Sequence, residues 1–176
     1  HKGVGFDEVI RQAIDTLVQV LHNSPQNVSI ILENSAGMGA HIGASFKEIG
    51  RLLKGIDSDR VKVCLDTEHC FAAGYDVSKP EGVDCMVEEF DREIGLLRLV
   101  AVHANDSKVK LGSGVDRHEN IGEGLIGLKG FEAIMAHSAF HTVPFLLEVP
   151  GQLKKGPDKE NLDRLKSIRA SLNLDI

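Results

Sequence analysis

Glu33, Asp66, His103 and Glu148 each close a short apolar run, and all four are side chains that hold divalent metal ions. The runs are VSIILE, RVKVCLD, LRLVAVH and VPFLLE. One polar residue at such a position marks only the return of the chain to water. The same chemistry at the end of four runs points to a shared purpose. Three carboxylates and an imidazole drawn together form a donor set suited to Zn2+ or a related ion. Two further spacings extend the pattern. His69 follows Asp66 by three residues, so both can face one mouth. Asp116 and His118 lie two apart, the interval that points two side chains the same way in extended chain. With His69 they would make another N/O site. Taken alone, D-x-x-H is a weak signal, and the stretch around Asp116 also reads as a solvated loop of mixed charge.

These residues need elements to bring them together. Each run is nearly continuous in Val, Ile and Leu, the pattern of a strand buried on both faces of a parallel sheet. The strands are expected near 28–33, 60–66, 98–103 and 143–148. Between them lie apolar stripes at helical spacing. Phe6, Val9, Ile10, Ala13, Ile14, Leu17, Val18 and Leu21 form the first, and Phe46, Ile49, Leu52, Leu53 and Ile56 the second. Val83, Met86, Val87, Phe90 and Ile94 form the third, and Phe131, Ile134 and Met135 a short fourth. Leu162, Leu165 and Ile168 mark the last, after a helix-start signal at Gly156-Pro157-Asp158.

Strict alternation of helix and strand implies parallel strands with right-handed crossovers. No linker divides the chain, so residues 1–176 read as a single α/β domain. Ligand-type residues at the C-terminal ends of parallel strands lie where a β/α barrel keeps its active site. A closed TIM (β/α)8 barrel needs eight strands, usually in about 250 residues. Four strands therefore suggest roughly the second half of a barrel. The open edges then require cover from the missing half or from a second copy of the chain.

Composition limits the partners. The chain is 42% hydrophobic and 26% charged, ordinary for a globular protein, and has no apolar stretch of membrane-spanning length. A membrane partner is not expected. The net charge of −6 argues against a generic basic nucleic-acid binder, although bound metal ions would invert the field locally. Cys64, Cys70 and Cys85 are odd in number and lack zinc-finger spacing, which suits a reducing, intracellular setting.

Four longer motifs carry a resemblance: LENSAG at 32–37, CLDTEHCFAAGYD at 64–76, HANDSK at 103–108 and DRHENIGEG at 116–124. Together they resemble the C-terminal part of the endonuclease IV-type apurinic/apyrimidinic endonucleases, over essentially the whole chain. The resemblance implies a xylose isomerase-like TIM barrel with up to three Zn2+ ions. It implies hydrolysis of the phosphodiester 5′ of abasic sites in double-stranded DNA, a step of base excision repair. Carried over motif by motif, Glu33 would bridge two ions, and Asp66, His103 and Glu148 would complete the second site. His69, Asp116 and His118 would hold the third. Glu148 would also position the attacking water, and Glu33 and Glu148 are the expected catalytic pair. His1 stands in His-Lys-Gly, which resembles the family's ligand-bearing His-Pro-Gly except that Lys2 replaces Pro. A second histidine of the first site has no counterpart, so that site is expected to be incomplete. Lys108 and Arg117 are candidate phosphate contacts, and Asn34, Asn105 and Asp106 are placed to orient ligands.

Two other readings stay open on the residues. Single-metal sugar isomerases and epimerases of the same barrel type also place Glu, Asp, His and Glu at strand ends. A truncated barrel that binds metal without turnover is the third reading. Three ions, one, or two at most would separate them.

Overall fold

The computed structural model describes residues 1–172. Its α-helices, six among the described residues, are α1 (Phe6–Asn23), α2 (Phe46–Ile56), α3 (Thr67–Ala73), α4 (Pro80–Glu93), α5 (Gly127–Ala136) and α6 (Lys159–Ser171). The strands are β1 (Ile30–Glu33), β2 (Val61–Asp66), β3 (Leu99–His103), β4 (Asp106–Ser107), β5 (His118–Glu119) and β6 (Phe145–Leu146). Strands β1, β2, β3 and β6 form one parallel sheet in that order, and β4 and β5 pair antiparallel beside it. Among the described residues the large sheet is open, with β1 and β6 at its edges.

The helices follow the apolar stripes. Ser45 caps α2 by accepting the Glu48 N–H, and Phe46, Ile49, Leu52, Leu53 and Ile56 are all buried beneath it. Phe46 stacks on Tyr75 at 4.4 Å and meets Phe90 edge-on at 5.2 Å. Enclosing a side chain of this size contributes about 1.5–3 kcal/mol. Tyr75 uses its hydroxyl as well, donating to Glu89 and accepting the Phe46 N–H. The aromatic of the FAAGYD motif is thus a packing residue that ties α2 to α4.

Register sets the functional face. Asp66 lies opposite His103, Glu33 opposite Cys64, and Cys64 opposite Ala101. By strand alternation Glu33, Cys64, Asp66, Ala101 and His103 share one face. The register shifts between Val63 and Cys64, which brings Asp66 level with His103. On the other face Leu32, Val63, Leu65 and Val102 belong to the hydrophobic core shared with the helices.

Several expectations change. Double burial holds for β2 and nearly so for β3, but Ile31 and Leu146 remain 52% and 49% exposed. Both stand on edge strands, which have a neighbour on one side only. The last strand is two residues long rather than six: Pro144 precedes it without an N–H, and the Glu148 N–H turns to the Asn105 side chain. The stretch after Asp66 forms a further helix, α3, which no apolar stripe in the sequence marks. In α6 the buried stripe is Asn161, Leu165 and Ile168, while Leu162 is 40% exposed. No helix among the described residues is long and apolar enough to cross a membrane.

Candidate metal centre

Asp66 is where the site begins. Its Oδ1 accepts the His69 N–H at 2.9 Å, capping α3. This starts the helix and sets His69 on its first turn, and Gly74 ends it in the left-handed region at φ 112°. The Asp66 N–H donates to Asn34 Oδ1 at 2.7 Å, and Asn34 Nδ2 donates back to the Asp66 carbonyl. Asn105 Nδ2 donates to Asp66 Oδ2 at 2.6 Å, while Asn105 Oδ1 accepts the Glu148 N–H at 2.9 Å. Thr67 Oγ1 accepts the Asn105 N–H and donates to the Asn105 carbonyl. Asn34, Asp66, Thr67 and Asn105 are all buried. Two carboxamides therefore lock the ends of β1, β2 and β3 to one another and to the chain at Glu148.

Two ligand clusters form on this frame. Glu33, Asp66, His103 and Glu148 each offer a donor atom, all within 4.8 Å of one another. Asp66, Glu68, His69 and His118 form a second group on the same criterion. Asp116 stands against both histidines of that group, 3.3 Å from His69 Nε2 and 3.4 Å from His118 Nε2. His69 Nδ1 lies 3.3 Å from Glu33, joining the two clusters. His103 Nδ1 is 3.2 Å from Glu33 and 3.3 Å from Glu148.

These spacings are long for charge-assisted hydrogen bonds, which close to about 2.7–2.9 Å. At His69 Nε2, His103 Nδ1 and His118 Nε2 they suit ligands around an ion instead: two donors each about 2.1 Å from a tetrahedral centre stand about 3.4 Å apart. The ring nitrogens agree. His69 Nε2, His103 Nδ1 and His118 Nε2 are buried without a hydrogen-bond partner. Two of these rings are turned by a backbone carbonyl on the far nitrogen, Asn34 O at 2.8 Å from His69 Nδ1 and Glu148 O at 3.4 Å from His118 Nδ1. A metal-ligating histidine is oriented in this way. The donor sets thus fit a divalent ion in each cluster.

Charge without an ion tells the same story. Burial opposes a charge on His69, yet Glu33, Asp66, the Asn34 carbonyl and Asp116 push its imidazole up from 6.5 to about 10. Burial likewise acts against ionised Glu33, but His69 and His103 hold its carboxyl below the ordinary range. For Asp66 burial wins over both nearby histidines and raises the carboxyl. Burial also pushes Cys64 up to about 12, with Glu33 adding to it, so this thiol stays protonated beside the site.

Other expected residues have different places. His1 joins neither cluster; its Nδ1 accepts the Gly3 and Gly5 N–H groups. Asp106 orients a loop rather than a ligand, accepting N–H groups from Ser107, Gly122, Gly124, Ile126 and Gly127. That is why the NIGEG segment ends in Gly: a Cβ at Gly124 would lie 2.4 Å from the Ser107 carbonyl and 2.5 Å from Asp106. Lys108 pairs with Glu119 at 3.4 Å, and Arg117 donates to the Asp116 carbonyl. Glu68 and Asn161 were not anticipated. Asn161 Oδ1 accepts the Ile121 N–H and its Nδ2 donates to Asn120, anchoring the same loop to α6. A polar residue three positions after the cap Asp158 is an ordinary helix-start signal, and nothing in the pattern of α6 sets it apart.

Residues 1–170 match the family model described as xylose isomerase-like TIM barrel. Two similar curated proteins are each named probable endonuclease 4. The one from Aquifex aeolicus is 39% identical over 95% of this chain and 59% of its own length. The one from Staphylococcus aureus is 42% identical over 94% of this chain and 57% of its own length. The chain thus spans well under two thirds of the relatives it matches. The crystal structure of endonuclease IV from Thermus thermophilus superposes with a TM-score of 0.76 and 32% identity, over 93% of this chain and 57% of that one. A D-tagatose 3-epimerase-like protein superposes with a TM-score of 0.62 at 19% identity, which shows the shared fold alone. The chain belongs to the xylose isomerase-like TIM-barrel family.

Proposed function

We propose that this chain is the metal-bearing part of a zinc-dependent endonuclease that hydrolyses the DNA phosphodiester 5′ of an abasic site. The observation that carries the reading is the second cluster. A single-metal sugar epimerase accounts for Glu33, Asp66, His103 and Glu148, but gives no role to the unpartnered nitrogens of His69 and His118. Asp66, His103 and Glu148 with Glu33 would hold one ion, and His69, Asp116 and His118 another. Bound Zn2+ supplies positive charge at the phosphate and lowers the pKa of water.

The chain's own groups supply the rest. Glu33 stands against both His69 and His103 and so fixes the spacing between clusters. Glu148 is 49% exposed with its N–H held by Asn105, which leaves its carboxylate open to orient an incoming water. Lys108 and Arg117 are exposed, beside Glu119 and the Asp116 carbonyl respectively, and would offer charge to the DNA backbone.

The test is a duplex carrying one tetrahydrofuran abasic analogue, given to the natural protein that contains this sequence. Nicking that leaves a 3′-hydroxyl, lost with chelator and restored by zinc, is the expected result. Cleavage indifferent to chelator, or ketohexose epimerisation without nicking, would overturn the proposal.

A further inference from the structure

Glu68 lies between two proposed ligands in sequence and has no part in the chemistry described so far. It is fully enclosed, with 0% of the residue exposed. A buried carboxylate is costly unless it is paired, hydrogen-bonded or metal-bound. Its Oε1 accepts the Ser107 hydroxyl at 3.1 Å and the Arg117 N–H at 3.2 Å. Its Oε2 has no partner at all.

The surroundings of that oxygen are unusual. Four buried side-chain atoms among the described residues lack partners: Glu68 Oε2, His69 Nε2, His103 Nδ1 and His118 Nε2. Three of the four residues belong to one group, in which Glu68 offers a donor within 4.8 Å of donors from Asp66, His69 and His118. The residues that carry two unsatisfied imidazole nitrogens and an unsatisfied carboxylate oxygen thus meet in one ligand group, and a cation would satisfy all three.

We propose that Glu68 is an inner carboxylate ligand of the ion held by His69 and His118. This rests on the metal-bearing reading above and deepens it. Oxygen donors from Asp66, Glu68 and Asp116 then surround the two imidazoles, an environment open to Mn2+ as well as Zn2+. Oε1 meanwhile ties α3 to the segment that carries Asp116 and His118, so one side chain would both bind the ion and place two of its other ligands.

The alternative is a strut with no ligand role. Glu68→Gln separates the two, because its amide oxygen still accepts from Ser107 and Arg117 while the negative charge is lost. Zinc titration of the purified protein followed by optical emission analysis should show the affinity of one site falling about 10–100-fold in Glu68→Gln. Unchanged affinity with both ions retained overturns the proposal.

A crystal of the unaltered protein soaked in zinc reads the same point without any variant. A Glu68 oxygen about 2.0–2.2 Å from an anomalous peak between His69 and His118 supports ligation. A peak there with Glu68 beyond about 3 Å overturns this inference and leaves the metal-bearing reading intact. No peak between the histidines overturns both.

Discussion

The site has an inner and an outer half, and they are held by different forces. Asp66 and its carboxamide partners Asn34 and Asn105 are buried, and their hydrogen bonds among themselves and to His69 and Glu148 run from 2.6 to 3.2 Å. Glu33 and Glu148 keep 34% and 49% of their side chains exposed and meet their histidines only at 3.2–3.3 Å. The inner half is ordered by the fold before any ion arrives. The outer carboxylates are aimed by the strand ends but await a ligand to bind. The mechanical scaffold and the reactive rim of one centre can thus be perturbed separately.

The comparison breaks most visibly at Asp66. Asp66→Ala removes two charge-assisted hydrogen bonds, the α3 cap from the His69 N–H and the bond from Asn105, and should lower metal-free stability by about 2–4 kcal/mol in urea unfolding. It should also lose both ions, read by metal analysis after desalting. Metal-free stability equal to the unaltered protein would show that the inner half is not built in advance.

Glu148→Gln tests the outer half. Nicking should fall about 100-fold or more, since charge and water orientation are both lost. Metal-free stability should stay within about 0.5 kcal/mol, as for a substitution on the surface. A large loss of stability would move Glu148 into the scaffold.

Asn105→Ala cuts the link between the halves. It leaves Asp66 Oδ2 and the Glu148 N–H without their partner and should cost about 1–3 kcal/mol. The accompanying rise in KM or fall in kcat should be smaller than for Glu148→Gln, because Glu148 keeps its carboxylate.

The smallest effect concerns protons. His69 holds its proton up to about 10 in the metal-free protein, against 6.5 in the unfolded chain. Its contribution to metal-free stability is therefore complete below pH 6.5 and is lost as the pH rises through 10. Zinc must displace that proton, so binding near pH 8 should release about one proton from His69 and tighten as the pH rises. Calorimetry in buffers of different ionisation enthalpy measures the release, and none would mean that His69 is already neutral.

Much of this arrangement is legible in the chain. Val-Ile-Leu runs ending in Glu33, Asp66 and His103 give the strands, because burial and ligand placement act on the same residues. The stripe of α2 is read residue for residue. The least legible parts depend on neighbours distant in sequence. Seven residues of α3 carry too short a stripe to show a period, although Asp66 as cap and Gly74 as terminator are its signals. Glu68 looks like a solvated charge next to its ligands, and only the approach of Ser107 and Arg117 encloses it. Ile31 and Leu146 read as core because pattern alone does not say which strands stand at an edge.

Asp66 belongs to both ligand clusters. Occupancy is therefore not a property of each cluster alone. An ion that draws the Asp66 carboxylate toward one side changes what the other side can offer, and the change in affinity must be equal in both directions. With an ion proposed for each cluster, titration of a first equivalent would set the terms on which the second is taken up, and the loading curve would record the flexibility of a single buried side chain.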